Sequence, residues 1–141
     1  RLAEGVFDEE DLVFRTHELA DFTAAAADHY GFSSSSLDAL GYSNGANIAA
    51  SLMLLRPEIL SRSVLLRAMV PLDPEKTPDL SGKKVLLASG VHDPILPIGN
   101  ARRLAAMLRN AGAEVTHTEI DAGHQLTSDE LTAARHWLNP T

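Results

Sequence analysis

The sequence of 141 residues contains no cysteine. This absence excludes disulfide bonds, thiolate metal sites and a cysteine nucleophile, and it agrees with a cytoplasmic location. No apolar run approaches the roughly 18 residues that a membrane-spanning helix needs. We therefore expect no membrane span.

Positive charge is also scarce. The chain has 12 lysines and arginines against 19 aspartates and glutamates, which gives a formal net charge of −7. Nucleic-acid-binding domains usually carry a basic patch, so this balance argues against a nucleic-acid partner. The hydrophobic fraction of 45% is ordinary for a globular domain, and the length fits a single domain over residues 1–141.

Apolar strands alternate with amphipathic helices along the chain. The pattern predicts helices from near Asp8 to Gly31, from about Gly45 to Arg56, from about Ile98 to Asn110, and from a capping box at 127–130 to a point before Pro140. It predicts strands over residues 37–42, 85–88 and 114–120, the last of them half-exposed at a sheet edge, and a further strand that begins with Val64-Leu65-Leu66. This order predicts an α/β fold, a three-layer α/β/α sandwich with a mostly parallel sheet. Active sites in such sheets lie at the carboxyl ends of the strands.

One motif stands where a predicted strand passes into a predicted helix. The segment Gly41-Tyr42-Ser43-Asn44-Gly45 matches G-x-S-x-G, the tight turn that exposes a serine nucleophile. We expect glycine at both ends because side chains two residues before and after Ser43 would collide there. The amide of Asn44, near the helix N-terminus, can stabilise an oxyanion. The alternative is a glycine-flanked turn with a bystander serine.

A serine needs a base, and the base needs an orienting carboxylate. In this fold class the chain order is Ser, then Asp or Glu, then His. Asp93 follows the third predicted strand and His124 follows the fourth. Asp121 and Asp73 are alternatives for the acid.

The other histidines are weaker candidates for the base. His92 is adjacent to Asp93, and neighbours in an extended chain point apart, so we do not expect this pair to act together. The rest lie within predicted helices or a strand, where surface or packing roles are favoured: His17, His29, His117 and His136.

Three segments resemble the phospholipase/carboxylesterase family of α/β hydrolases, and most closely its bacterial carboxylesterases: Gly41–Asn47, Gly90–Pro97 and Ala122–Leu126. The resemblance implies catalytic Ser43, Asp93 and His124. It also implies that Asn44, where many relatives have glutamine, contributes one oxyanion-hole amide.

Family members carry further upstream strands, with a histidine-glycine loop that supplies the second oxyanion amide. Nothing in this sequence matches that loop. The resemblance therefore implies that the chain lacks the N-terminal strands of the fold. We expect its nucleophile strand to form an exposed apolar edge, covered by the missing segment or by a second copy of the chain.

The leading functional hypothesis is hydrolysis of small carboxylic esters, with short-to-medium acyl chains, through an acyl-enzyme. This chemistry needs no metal and no organic cofactor. Apolar residues after strand ends are candidates for an acyl pocket, with ordinary core as the alternative: Met69, Val70, Leu72, Ile95 and Leu96. Thioesters and lysophospholipids are alternative substrates. A non-catalytic domain used for binding is the alternative from another class.

Overall fold

A computed structural model describes residues 8–140 of the chain. Its strands are β1 (Leu37–Tyr42), β2 (Leu60–Leu66), β3 (Lys84–Gly90) and β4 (Glu114–Ile120). Its α-helices are α1 (Glu9–Tyr30), α2 (Asn44–Leu55), α3 (Ile98–Asn110) and α4 (Ser128–Leu138). The predicted helices and strands are confirmed, except that Val64-Leu65-Leu66 ends β2 and does not begin it. Strand β3 extends beyond the predicted apolar run.

The four strands form one sheet in the order β1-β2-β3-β4, and each neighbouring pair is parallel. The two central strands are buried along most of their length, whereas β4 is exposed or half-buried throughout. The predicted parallel sheet is therefore confirmed, with β4 at one edge. Strand β1 forms the other edge of the described sheet.

Helices cover both faces of the sheet and complete the predicted three layers. On one face, α2 and α3 pack against inward side chains of the central strands that include Leu65, Val85 and Leu87. Helix α1 packs against α2. On the other face, α4 covers the alternate side chains of the central strands, among them Val64 and Leu86.

Helix α1 has the predicted ends, but its large apolar residues do not form its buried side. Asp8 caps its start by accepting a hydrogen bond from the amide of Asp11, and Gly31 ends it in the left-handed conformation. Leu19 and Phe22, which recur at helical spacing, are 37% and 71% exposed. The buried positions are instead Thr16, Ala20 and Ala27. Small side chains at these positions let α1 lie close to α2.

Across residues 8–140, no helix combines the length and the apolar character that a membrane span requires.

Strand β1 leaves apolar surface uncovered on the face that α4 covers further along the sheet. Leu40 pairs in register with Val64, and Tyr42 pairs with Leu66. Val64 and Leu66 are buried, whereas Leu40 is 60% exposed and Tyr42 is 41% exposed. The expected exposed apolar edge is thus present in the described residues. What covers it in the protein stays a prediction.

Gly31 and Gly99 form a matched pair for testing the α1 terminus, since an added Cβ would meet nothing within 4 Å at either position. Gly31 has a φ of 74°, a conformation that costs a residue with a Cβ about 1 kcal/mol. Gly99 lies inside α3 without that constraint, and alanine favours helices. We expect Gly31→Ala to lower the free energy of unfolding by about 1 kcal/mol and Gly99→Ala to leave it unchanged or raise it. Urea denaturation measures both, and equal effects would contradict this assignment.

Candidate active site

The carboxyl ends of three strands supply the predicted catalytic residues. Ser43 directly follows β1, Asp93 follows β3 and His124 lies in the loop after β4. Parallel strands end at one edge of the sheet, so these three positions share it. The structure brings the three side chains together there.

The turn at Ser43 has strained backbone geometry. Ser43 has φ 55° and ψ −114°, values that residues with a side chain rarely adopt. Its amide donates to the carbonyl of Leu66 at 2.8 Å, and its own carbonyl accepts from the amide of Asn47 at 3.0 Å. The serine therefore joins the end of the sheet to the first turn of α2.

Only one of the two flanking glycines is required by sterics. A Cβ on Gly41 would lie 2.5 Å from the backbone of Gly45 and 2.6 Å from the amide nitrogen of Ala46. A Cβ on Gly45 would meet nothing within 4 Å. The expectation that both positions exclude a side chain is thus wrong for Gly45. Gly41 must lack a side chain because the backbone of Gly45 occupies that space. The lack of a side chain on Gly45 itself plays no part.

A continuous chain of hydrogen bonds links the three side chains. The Nε2 atom of His124 lies 3.0 Å from Ser43 Oγ. The Nδ1 atom of the same ring lies 2.6 Å from Asp93 Oδ2. A carboxylate can only accept, so Nδ1 donates to Asp93 and Nε2 is left to accept the hydroxyl proton of Ser43. This is the tautomer that a general base needs.

The Asp93 carboxylate is held by backbone amides as well as by His124. Its side chain is 0% exposed, and its second oxygen, Oδ1, accepts the amides of Ile95 at 2.8 Å and Leu96 at 3.0 Å. The carboxylate therefore has no freedom to rotate, and Oδ2 stays aimed at His124.

The alternative acids and bases lie elsewhere. His92 Nε2 is 2.7 Å from Asp121 Oδ1 in a pair whose side chains are 69% and 92% exposed. Asp73 pairs with Arg103. Among the described residues, neither Asp121 nor Asp73 contacts His124. The remaining histidines of the chain lie away from Ser43: His117 bonds Ser89, His17 lies near Arg56, and His29 and His136 are exposed on helices.

Comparison with known proteins shows the family of the chain. A family model described as Phospholipase/Carboxylesterase matches residues 9–141.

The chain belongs to the phospholipase/carboxylesterase family.

Members of this family from bacteria are similar to it in sequence and structure. The chain is 44% identical over 137 residues to "Putative hydrolase MhqD" of Bacillus subtilis. The match covers 97% of this chain and 68% of that protein. It matches the crystal structure of the Bacillus cereus carboxylesterase with a TM-score of 0.95 and 46% identity, over 99% of this chain and 66% of that one. A carboxylesterase from Mesorhizobium loti matches with a TM-score of 0.91 and 34% identity. That match covers 100% of this chain and 67% of the carboxylesterase.

The chain thus spans about two thirds of the length of these relatives. The expectation that further upstream strands belong to the fold stays a prediction.

Residue Asn44, the predicted oxyanion donor, is the first residue of α2. The N-terminus of a helix carries partial positive charge, which favours an anion beside it. A cavity of about 220 Å³ opens next to this position, between the starts of α1 and α2. Its walls include Asp8, Leu12 and Ile48.

The five predicted pocket residues differ in burial. Met69, Val70 and Ile95 are half-buried, whereas Leu72 and Leu96 are buried. Leu72 lines a separate cavity of about 460 Å³ with Leu54 and Leu55, at the far end of α2 from Ser43. Burial of Leu72 and Leu96 favours the alternative of ordinary core for these two. A pocket role for the set stays a prediction.

Sequence reasoning missed three residues that shape this site. A Cβ on Gly90 would lie 2.2 Å from the carbonyl oxygen of Gly123, so only glycine lets the loop carrying His124 fold over the end of β3. The hydroxyl of Tyr42 donates to the carbonyl of His124 at 3.1 Å. Arg67, buried behind the site, donates to the same loop. Gly90 and Tyr42 stand inside motifs that were recognised, but no sequence signal distinguishes Arg67.

The two glycines of the serine turn give opposite expectations. Gly41→Ala places a methyl group against backbone that cannot move aside, and we expect it to lower the free energy of unfolding by at least about 2 kcal/mol. Gly45→Ala adds a methyl group in open space on a helix, so it should be neutral or stabilising by up to about 1 kcal/mol. Denaturant midpoints compare the two, and similar losses in both would contradict the steric account.

Proposed function

We propose that this chain is the catalytic part of a serine esterase that hydrolyses small carboxylic esters. The observation that carries the proposal is the unbroken chain from Ser43 Oγ through both ring nitrogens of His124 to Asp93, with distances of 3.0 Å and 2.6 Å. Membership of the phospholipase/carboxylesterase family supports ester substrates.

The reaction follows from the arrangement of protons. His124 Nε2 takes the hydroxyl proton while Ser43 Oγ attacks the acyl carbon, and Asp93 stabilises the imidazolium that forms. The amide of Asn44 stabilises the negative oxygen of the tetrahedral intermediate. His124 then gives its proton to the leaving alcohol, and an acyl-enzyme remains on Ser43. Water, activated by the same histidine, releases the carboxylic acid.

Access to the site supports this assignment of roles. The side chain of His124 is 19% exposed while that of Asp93 is 0% exposed. The base can thus meet a substrate, and the acid is shielded from water. We propose that the half-buried loop residues Met69 and Val70 contact the acyl chain. Asn47 accepts the amide of Met69 at 2.9 Å, and Asn100 accepts that of Val70 at 2.7 Å, so this loop is fixed beside the nucleophile helix.

We further propose that a second oxyanion donor comes from outside the sequence described above. The exposed edge of β1, with Leu40 and Tyr42, suits pairing with an upstream segment or with a second copy of the chain. Hydrolysis by the present chain alone would then rest on one oxyanion amide. Loss of one such donor costs about 100-fold to 1,000-fold in rate, which leaves a measurable reaction.

Steady-state hydrolysis of p-nitrophenyl esters of increasing chain length tests the proposal. We expect hydrolysis of acetyl to hexanoyl esters, with a decline for longer chains. Ser43→Ala should lower kcat by about 10⁴-fold or more. Ser35→Ala, a matched change at an exposed serine, should have no effect.

Two results would contradict the proposal. A folded chain without hydrolysis of any ester would support a non-catalytic binding domain. Activity restricted to long chains would keep the esterase but refute the proposed acyl length.

A further inference from the structure

Three consecutive carbonyls of the loop carrying His124 accept hydrogen bonds from side chains. The carbonyl of Gly123 accepts from Arg67 Nε at 2.9 Å, and that of Gln125 accepts from Arg67 Nη2 at 2.9 Å. The carbonyl of His124 between them accepts from the Tyr42 hydroxyl at 3.1 Å. The backbone on both sides of the predicted base is therefore held by one guanidinium.

Arg67 reaches this loop from across the sheet. It directly follows β2, and its amide donates to the carbonyl of Ala88 at 2.9 Å. Its φ of 60° is strained for a residue with a side chain, and such strain persists where the surrounding structure requires it. The loop that Arg67 contacts follows β4, so the side chain passes the end of β3.

The guanidinium is held in turn by a buried carboxylate. Arg67 and Glu130 have side chains that are 0% and 3% exposed. Nη1 donates to Oε1 of Glu130, and Nη2 donates to Oε2 at 2.9 Å. Oε2 also accepts the amide of Thr127 at 2.9 Å, as part of the capping box that starts α4. The ion pair therefore ties the start of α4 to the end of β2.

Glu130 carries its charge at neutral pH. Burial opposes that charge, but hydrogen bonds from Arg67 and Thr127 outweigh burial and lower the pKa of the carboxyl below its ordinary value. The guanidinium of Arg67 is thus paired through two hydrogen bonds with a full negative charge, and this pairing fixes the orientation of the guanidinium.

We propose that Arg67 is a positioning residue for His124, held by Glu130 and acting through the carbonyls of Gly123 and Gln125. The inference rests on the proposed function, because the base it positions is the one proposed for ester hydrolysis. A buried ion pair is weak evidence of a stabilising role. The hydrogen bonds on both sides of His124 point instead to control of where the imidazole stands.

This role predicts a particular kinetic defect. A displacement of a catalytic group by about 1 Å can cost roughly 100-fold in rate. The side chain of Arg67 has no exposed surface, so it cannot contact the substrate. Its loss should lower kcat while KM changes by less than about twofold, since binding is left intact.

A double variant separates positioning from stability. Arg67→Met alone leaves the Glu130 charge buried and unpaired, which can unfold the protein. Arg67→Met combined with Glu130→Gln removes both charges, and glutamine still suits the capping box. Arg67→Lys keeps the charge but cannot serve both carbonyls and both carboxylate oxygens at once. Leu108→Ala, in the buried core of α3, is the control for lost stability away from the site.

Two readouts are compared across these proteins. One is kcat and KM for p-nitrophenyl acetate. The other is the NMR signal of the His124 Nδ1 proton, assigned by its loss in His124→Ala, which reports the bond to Asp93 whether or not the chain is active. We expect the double variant to lose roughly 100-fold in kcat and to lose the proton signal to exchange with water. Arg67→Lys should be intermediate in both, and Leu108→Ala should match the wild type below its unfolding temperature.

A folded double variant with wild-type kcat and an unchanged proton signal would overturn the proposal. If the double variant does not fold, Arg67→Lys decides, and wild-type values in both readouts would overturn the proposal equally. Absence of hydrolysis in the wild-type chain would instead refute the proposed function, while the proton signal would still report whether Arg67 positions His124.

Discussion

The site depends on one geometric constraint, the width of the sheet. Ser43 follows β1 and His124 follows β4, which are opposite edges of the described sheet. Neighbouring strands lie about 4.8 Å apart, so these strand ends are separated by roughly 14 Å. The side chains nevertheless meet at 3.0 Å. The loop after β4 must therefore cross over the ends of β3 and β2, and the surrounding residues serve that crossing.

Each strand end contributes to the crossing in its own way. At the end of β3, Gly90 has no side chain that would block the loop, and Asp93 accepts a hydrogen bond from Nδ1 of His124. At β2, Arg67 holds the backbone on both sides of His124. Ser43 and Arg67 are the two non-glycine residues with positive φ in the described part of the chain. Backbone strain is thus concentrated where the neighbouring strands β1 and β2 end, as expected of a functional site.

Local patterns predicted the fold and indicated which three side chains meet. Apolar runs, the capping box and Gly31 predicted the helices and strands, and the chain order indicated Ser43, Asp93 and His124, which hydrogen bonds join. Their catalytic roles stay a prediction. The buried side of helix α1 could not be predicted, because the spacing of apolar residues does not show that small residues face α2. Arg67 was missed because its role depends on contacts with residues 56 to 63 positions away. No local pattern records contacts of that range.

We propose that Ser43 is a nucleophile activated by His124, which Asp93 orients. Intact-mass measurement after brief exposure to p-nitrophenyl acetate, followed by peptide mapping, tests it most directly. We expect the mass of one added acetyl group per chain, located on the peptide that contains Ser43, and its absence in His124→Ala. Hydrolysis without a covalent adduct, or an acetyl group on another residue, would contradict it.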